Sequence, residues 1–200
     1  MGSGKNGTFD KRPDWQQWAI LTVLKDTGPS HITSNKELLS ELYGSFMSKW
    51  INFFQCETWT LILEPLEGHG CWDGKKVFGE LSLHSDYEGL IAILTRATIR
   101  LSRLKPFWGH VNAVASKMTT ARGLVTSLGI GELPLIKQAT FSIWQSMEDM
   151  KQFAYGIKEH KEVIRLTRAD KWYSEEMFTR FKIIGSSGTL RGIDPLAGKT

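Results

Sequence analysis

The feature that most constrains the fold is an order of segments that occurs twice. In each half, a Gly-x-Gly segment, a strand-like run, a helical run containing Tyr-Gly, a second strand-like run and a glycine-rich turn follow one another. The matching landmarks are Gly2-Ser3-Gly4 with Gly129-Ile130-Gly131, Tyr43-Gly44 with Tyr155-Gly156, Glu57-Thr58 with Glu176-Met177, and Gly70 to Gly74 with Gly188 to Gly192. The order indicates a duplication.

Hydrophobic periodicity gives the elements of each half. A period of two predicts strands at 18–24, 58–63, 90–101, 124–130, 138–144 and 178–184, and a period near 3.6 predicts helices at 35–54, 104–118 and 147–168. The second half therefore reads strand, helix, strand, strand, helix, strand, which is the ferredoxin-like order. The first half has no counterpart of the leading strand and helix.

We therefore predict an α+β protein with two ferredoxin-like repeats that form a fold of the dimeric α+β barrel type. The expected boundaries are an incomplete first half at 1–78, a linker at 79–89 and a complete second half at 90–200. The missing leading strand should leave an exposed sheet edge or an open pocket wall. A second copy of the chain would cover such an edge as a homodimer.

Charge and apolar patterning narrow the classes of partner. The 25 basic and 21 acidic residues are scattered along the chain, without the basic stripe that nucleic-acid binding requires. No apolar run approaches the roughly 20 residues that cross a bilayer. The start of the chain lacks a hydrophobic signal segment, and Cys56 and Cys71 lack metal or redox spacing, so we expect a cytoplasmic protein.

His160 is the first candidate for chemistry. It lies three residues after Ile157 and four before Ile164 on the apolar stripe of the predicted helix 147–168, so its imidazole should point toward the sheet. One reading is a core histidine hydrogen-bonded to a carbonyl. The other is an axial ligand to a haem iron, which requires an imidazole in an apolar cavity.

The strand at 90–101 supplies a second candidate group. Arg96, Thr98 and Arg100 share one face of it, opposite an apolar face. Two guanidinium groups flanking a threonine are suited to carboxylates, including haem propionates. The alternative is an ion-pair pattern on a solvated strand face.

His69 is a lower-ranked candidate. It stands among glycines in Gly68-His69-Gly70, where the backbone is able to approach a ligand closely. Clusters of glycine and aspartate are also typical of plain surface turns, and the sequence leaves both readings open.

Several stretches together resemble the spheroidene monooxygenase family of carotenoid-oxidising enzymes. They are Leu63-Glu64-Pro65-Leu66, His69-Gly70-Cys71-Trp72-Asp73-Gly74, Leu94-Thr95-Arg96-Ala97-Thr98-Ile99-Arg100, Phe107-Trp108, Gly129-Ile130-Gly131-Glu132, Gln138-Ala139-Thr140-Phe141-Ser142-Ile143-Trp144, Phe153-Ala154-Tyr155, His160, Trp172, Glu175-Glu176 and Arg180-Phe181. The similarity extends over nearly the whole chain.

The resemblance implies an oxygenase containing haem b that uses O2 and an external electron donor, such as a ferredoxin, to introduce keto groups into acyclic carotenoids. It favours His160 as the axial ligand, and Arg96, Arg100 and Thr98 as the residues near the propionates. It also implies a hydrophobic small-molecule substrate and a peripheral contact with the inner membrane. Two alternatives stay open: a cofactor-free monooxygenase of the α+β barrel type, and a haem or carotenoid binding module without turnover.

Overall fold

A computed structural model describes residues 2–3, 11–24, 35–156, 165–167 and 169–199, and of these it describes 3, 35–39, 41–43 and 112–114 by their backbone alone. The helices are α1 (Asn35–Phe53), α2 (Leu104–Met118) and α3 (Met147–Lys151). The strands are β1 (Gly2–Ser3), β2 (Pro13–Asp14), β3 (Trp59–Gly70), β4 (Ile91–Ile99), β5 (Leu124–Leu133), β6 (Lys137–Trp144) and β7 (Tyr173–Gly188). None of the helices in this part of the chain is long and apolar enough to span a bilayer.

The strands of the described residues form one sheet in the order β2-β1-β5-β6-β4-β7-β3. Within it, β5-β6-β4-β7 is the strand order of a ferredoxin-like unit. β4 runs antiparallel to both of its neighbours, with Leu94 opposite Phe141 of β6 and Thr179 of β7. The predicted α+β class and the ferredoxin-like second half are confirmed.

Equivalent segments of the two repeats meet in this sheet. β1 pairs antiparallel with β5, with Gly2 opposite Ile130, so the two Gly-x-Gly segments are partners. β3 lies beside β7, its counterpart in the second repeat. Among the described strands β3 ends the sheet, at the position where the leading strand of the first repeat would pair.

By residue contacts the chain divides into two compact units. The first consists of Met1–Leu21 and Pro65–Lys182, and the second of Thr22–Glu64 and Ile183–Thr200. The predicted linker at 79–89 lies within the first unit. The division into halves at that linker stays a prediction.

Each unit contains a glycine turn that a glutamate caps. In the first unit, the Glu175 carboxylate accepts from the backbone N–H groups of residues 73 and 74 at 2.8 and 2.6 Å. In the second unit, the Glu57 carboxylate accepts from the N–H groups of residues 191 and 192 in the same way. Glu57 therefore corresponds to Glu175, which corrects the predicted match with Glu176 by one residue. The shared capping contact supports the duplication.

The core of the first unit lies between the sheet and the helices. Ile91 and Ile93 of β4 pack in one cluster with Trp144 and Phe153. Ile99, at the end of β4, packs in a second cluster with α2. The predicted apolar face of β4 is thus confirmed, and each fully buried side chain of this size contributes roughly 1.5–3 kcal/mol.

The strand predicted at 18–24 is wrong. These residues form no regular element, and the side chains of Trp18 and Ile20 are 68% and 60% exposed. Asp14 accepts from the backbone N–H of Gln16 at 3.0 Å, and Trp18 Nε1 donates to the Trp15 carbonyl at 2.9 Å. Such local hydrogen bonds favour a turn, and an alternating sequence forms a strand only where a partner strand is available.

The helix predicted at 147–168 lies only partly within the described residues. It begins as the α-helix α3, a π turn follows at Gln152–Gly156, residues 157–164 lie outside the described residues, and residues 165–167 are helical. A π turn changes the number of residues per turn, so a stripe calculated at period 3.6 loses its register there. The helix predicted at 35–54 is confirmed as α1, although Gly44 interrupts it with φ 74° and ψ 175°.

Candidate functional site

Arg96, one of the predicted site residues, lies on β4 and is completely buried. The Arg96 side chain is 0% exposed. It donates from Nε and Nη2 to Glu132 at 2.7 and 3.0 Å, from Nη1 to Glu175 at 2.5 Å, and from Nη2 to Asp73 at 2.8 Å. Its guanidinium also lies 5.0 Å from the centre of the Trp72 ring, within cation–π range. Arg96 therefore ties β4 to β5, to β7 and to the turn after β3.

Lys137 adds a second cation to what we call the Arg96 cluster: Asp73, Arg96, Glu132, Lys137 and Glu175. Its Nζ lies 2.8 Å from Asp73 Oδ1. Hydrogen bonds from Lys137 and then Arg96 lower the pKa of Asp73. Burial raises the pKa of Glu175, but backbone N–H donors and Arg96 together outweigh it and lower that pKa. Burial lowers the pKa of Arg96, whereas Glu132 and Asp73 raise it by more, so the guanidinium stays charged.

These contacts limit what Arg96 is able to bind. Four of the five N–H donors of its guanidinium are directed at carboxylates of the chain itself. A propionate would have to displace one of those carboxylates. The ion-pair interpretation therefore describes Arg96 better than an open anion site does. The face is buried rather than solvated, since Ala92 and Leu94 on the same side of β4 are 0% and 5% exposed.

Acid should weaken the Arg96 cluster. The folded-state pKa values of Asp73 and Glu175 lie below the ordinary values of 3.8 and 4.5. Their stabilising contribution is therefore complete above about pH 4.5 and is lost as the pH falls through the lowered values. We expect the urea midpoint to drop between about pH 5 and about pH 3, and to drop less in Asp73→Asn.

The control for this acid effect is Glu88→Gln, because Glu88 is exposed and lies outside the cluster. It should reproduce the pH dependence of the unaltered chain. An Asp73→Asn variant with an equally steep decline would show that Asp73 contributes nothing to the acid sensitivity.

Thr98 and Arg100 do not converge on Arg96. The backbone carbonyl of Thr98 accepts from Ser174 Oγ at 3.2 Å. Arg100 lies one residue beyond β4, is exposed, and donates from Nε to the Tyr173 carbonyl at 3.1 Å. The role of these two residues near haem propionates stays a prediction.

His160 lies outside the described residues, so its role as an axial ligand also stays a prediction. Within the described ranges, no group of three or more His, Cys, Asp and Glu side chains is placed to hold a metal ion.

His69 lies on a strand and beside a pocket. Of the two readings of this position, the surface turn is wrong, since β3 continues to Gly70. The His69 ring stacks on Phe178 of β7, with ring centres 5.7 Å apart and an interplanar angle of 19°. An open pocket of about 130 Å³ adjoins it in the first unit, lined by Glu67, Gly68, His69, Leu83, Tyr155 and Phe178. The π turn after α3 is the segment that brings Tyr155 to this pocket.

A buried ion pair forms one wall of the pocket. Glu67, which lines the pocket, accepts from Arg180 Nη2 at 3.0 Å. Arg180 is 1% exposed, and the same Nη2 donates to the Ser85 carbonyl at 2.7 Å. Arg180 Nε is buried without a hydrogen-bond partner among the described residues. A charged pair in this setting holds β3, β7 and the segment around Ser85 together through specific contacts.

Comparison with known proteins places the chain in a family. It is 35% identical over 198 residues to the spheroidene monooxygenase of Cereibacter sphaeroides, covering 98% of this chain and 58% of that protein. It is 34% identical over 201 residues to the spheroidene monooxygenase of Rhodobacter capsulatus, covering 99% of this chain and 79% of that protein. The chain belongs to the spheroidene monooxygenase family.

Two further comparisons add little to that membership. No family model matches the chain. A solved structure from Fusobacterium nucleatum aligns with a TM-score of 0.46 and 10% identity over 79% of this chain and 67% of that one. The fold assignment therefore rests on the strand order and register of the chain's own sheet.

The stretches that resemble spheroidene monooxygenases coincide with both regions described above. The run from Leu94 to Arg100 contains most of β4 and Arg96, and the run from His69 to Gly74 carries His69 and Asp73. Sequence reasoning missed the Glu67–Arg180 pair. The available signal was the charge of Arg180 within the otherwise apolar and hydroxylic run 177–181, since a charge inside a buried strand normally has a partner.

Proposed function

We propose that this chain is a monooxygenase that acts on a hydrophobic, carotenoid-like substrate and uses O2 to introduce a keto group. The observation that carries the proposal is the 34% identity to the spheroidene monooxygenase of Rhodobacter capsulatus across 79% of that protein. The chain spans 58% of the length of the relative from Cereibacter sphaeroides. The activity of the whole protein is therefore proposed for this chain and awaits a direct assay.

Two features of the first unit support a small-molecule enzyme. The pocket combines apolar walls, Leu83 and Phe178, with an imidazole and a phenol from His69 and Tyr155. Such a mixture of apolar surface and a few polar groups also lines small-molecule sites, which are commonly larger than this pocket. Arg96 holds the turn after β3 through Asp73, and Arg180 holds β3 itself through Glu67. Since His69 lies between Glu67 and Asp73 in the sequence, these two contacts keep it in place.

The family implies haem, and neither the Arg96 cluster nor the pocket beside His69 fits it. Arg96 is engaged by carboxylates of the chain. The pocket beside His69 measures about 130 Å³, whereas ligand pockets commonly measure about 300–1,000 Å³. Haem b with His160 as its axial ligand is therefore a hypothesis about a part of the chain beyond the described residues. An external electron donor, such as a ferredoxin, belongs to the same hypothesis.

Purified protein supplied with haem should show a Soret band and bind about one haem per chain, because only the second repeat carries the candidate ligand.

His160→Ala should abolish the native axial signature, and added imidazole should partly restore it by entering the vacated space. Titration of haem followed by visible and electron paramagnetic resonance spectra measures both effects.

The matched control is His110→Ala. His110 is a half-buried helical histidine whose Nδ1 lies 2.9 Å from the Pro106 carbonyl oxygen. Its replacement should leave the haem spectrum unchanged. A folded chain that stays colourless in excess haem, yet oxidises the carotenoid, would favour the cofactor-free alternative. A normal axial signature in folded His160→Ala would remove His160 from the site.

A further inference from the structure

The volume of the pocket beside His69 limits the size of the ligand that it binds. Its volume is about 130 Å³. An apolar cavity of roughly 150 Å³ in another protein binds a single benzene molecule. A pocket of this size therefore accepts about six carbon atoms, which is far less than a whole carotenoid or a haem. Because the pocket is open, the remainder of a longer molecule is able to extend outward from it.

Its lining is shaped for an apolar end group. Phe178 and Leu83 supply hydrocarbon surface, and the rings of His69 and Tyr155 complete the wall. The Glu67 carboxylate is ion-paired, since its Oε2 accepts from Arg180. The lining thus places no unpaired carboxylate against the ligand, which suits a hydrocarbon and disfavours a cationic ligand.

The back of the pocket is rigid. A Cβ atom added to Gly68 would lie 2.7 Å from the Phe178 carbonyl oxygen and 3.1 Å from Thr179 Oγ1, so β3 and β7 approach each other closely here. The His69 ring stacks on Phe178, and Arg180 holds Glu67 in place by a hydrogen bond. By contrast, Leu83 is 82% exposed and stands at the mouth.

We propose that this pocket receives the terminal carbons of an acyclic, isoprenoid-like chain, with His69 against the inserted end and Leu83 at the entrance. The inference rests on the proposed function, since it names the place where a long hydrophobic substrate would be anchored. It assigns His69 a contact with substrate that is independent of any metal.

The test uses geraniol, a short acyclic isoprenoid alcohol, and measures its binding to the full chain by isothermal titration calorimetry. Leu83→Trp should narrow the entrance and weaken binding by about tenfold or more, equivalent to about 1.4 kcal/mol. His69→Ala removes the stacked ring and should weaken binding by about fivefold or more. Because Leu83 and His69 are both exposed, neither change is expected to prevent folding.

Two control variants match these changes. Leu101→Trp alters a leucine that is 72% exposed and does not line the pocket. His84→Ala alters an exposed histidine that lies 3.1 Å from Asp86. Both should bind geraniol as the unaltered chain does. Geraniol binding that is absent, or equal in Leu83→Trp, His69→Ala and the two controls, would overturn the inference.

Failure of the proposed function gives a different result. Conversion of an acyclic carotenoid is followed separately by chromatography. No product, together with geraniol binding that the two pocket variants weaken, would reject the monooxygenase proposal and retain the pocket. Product formation that Leu83→Trp and His69→Ala leave unaltered would reject the pocket as the substrate anchor and retain the monooxygenase.

Discussion

Arg96→Ala should destabilise the folded protein by about 3–5 kcal/mol, because removal of one partner from a buried charge network leaves its counter-charges uncompensated. The Arg96 side chain is 0% exposed, and the variant would leave Glu132 and Glu175, each 23% exposed, without their shared cation. Lys137 reaches Asp73 but cannot replace the contacts that Arg96 makes with β5 and β7. Urea denaturation at neutral pH measures the difference in the free energy of unfolding.

The matched control is Arg100→Ala, four residues further along the chain. Arg100 is exposed and donates from Nε to one backbone carbonyl, so its loss should cost about 1 kcal/mol or less. The cause of the Arg96 effect is also testable. Near pH 3 the contribution of Asp73 and Glu175 to the stability of the unaltered chain is being lost, so the gap between Arg96→Ala and the unaltered chain should shrink. A loss below about 1 kcal/mol at neutral pH would show that Arg96 is not essential to the cluster.

The sequence predicted the strands correctly where an alternating pattern of residues coincides with the presence of a partner strand. The second repeat has a complete set of strands, so alternation along β4, β5, β6 and β7 was enough to find each of them. Residues 18–24 alternate equally well but form no strand in the structure. Alternation indicates which faces a strand would have, whereas the partner strand decides whether it forms. The pattern within one segment does not show whether a partner strand is present.

The site was less predictable for a related reason. Arg96 was identified from its position on one face of a strand, yet the three carboxylates that surround it come from three other segments. Period-two reasoning gives the face of a residue and says nothing about which distant side chains share that face. The Glu67–Arg180 pair joins residues 113 positions apart and was missed on the same grounds. The π turn that places Tyr155 at the pocket also departs from the period that was assumed.

The close approach of β3 and β7 predicts the second large effect. Gly70→Ala should destabilise the protein by about 2–5 kcal/mol, since two costs combine. Gly70 has φ 86°, a conformation that costs an L-residue roughly 1–2 kcal/mol. A Cβ atom there would also overlap the Glu176 carbonyl oxygen and lie 2.9 Å from Met177 Cα. Both obstacles belong to the backbone of β7, so relief requires the strands to separate, with a further cost of about 1–3 kcal/mol.

Gly74→Ala, in the turn that follows β3, separates these two costs. Gly74 has φ 74°, close to the φ of Gly70, but a Cβ atom there would meet nothing within 4 Å. It should therefore cost only the conformational part, roughly 1–2 kcal/mol. The difference between the two variants in urea denaturation isolates the contribution of strand contact. Equal losses would mean that β3 and β7 tolerate a methyl group between them. A larger loss for Gly70→Ala, accompanied by faster hydrogen exchange at the Cys71 N–H that donates to Glu176, would show that the separation of the strands is the cause.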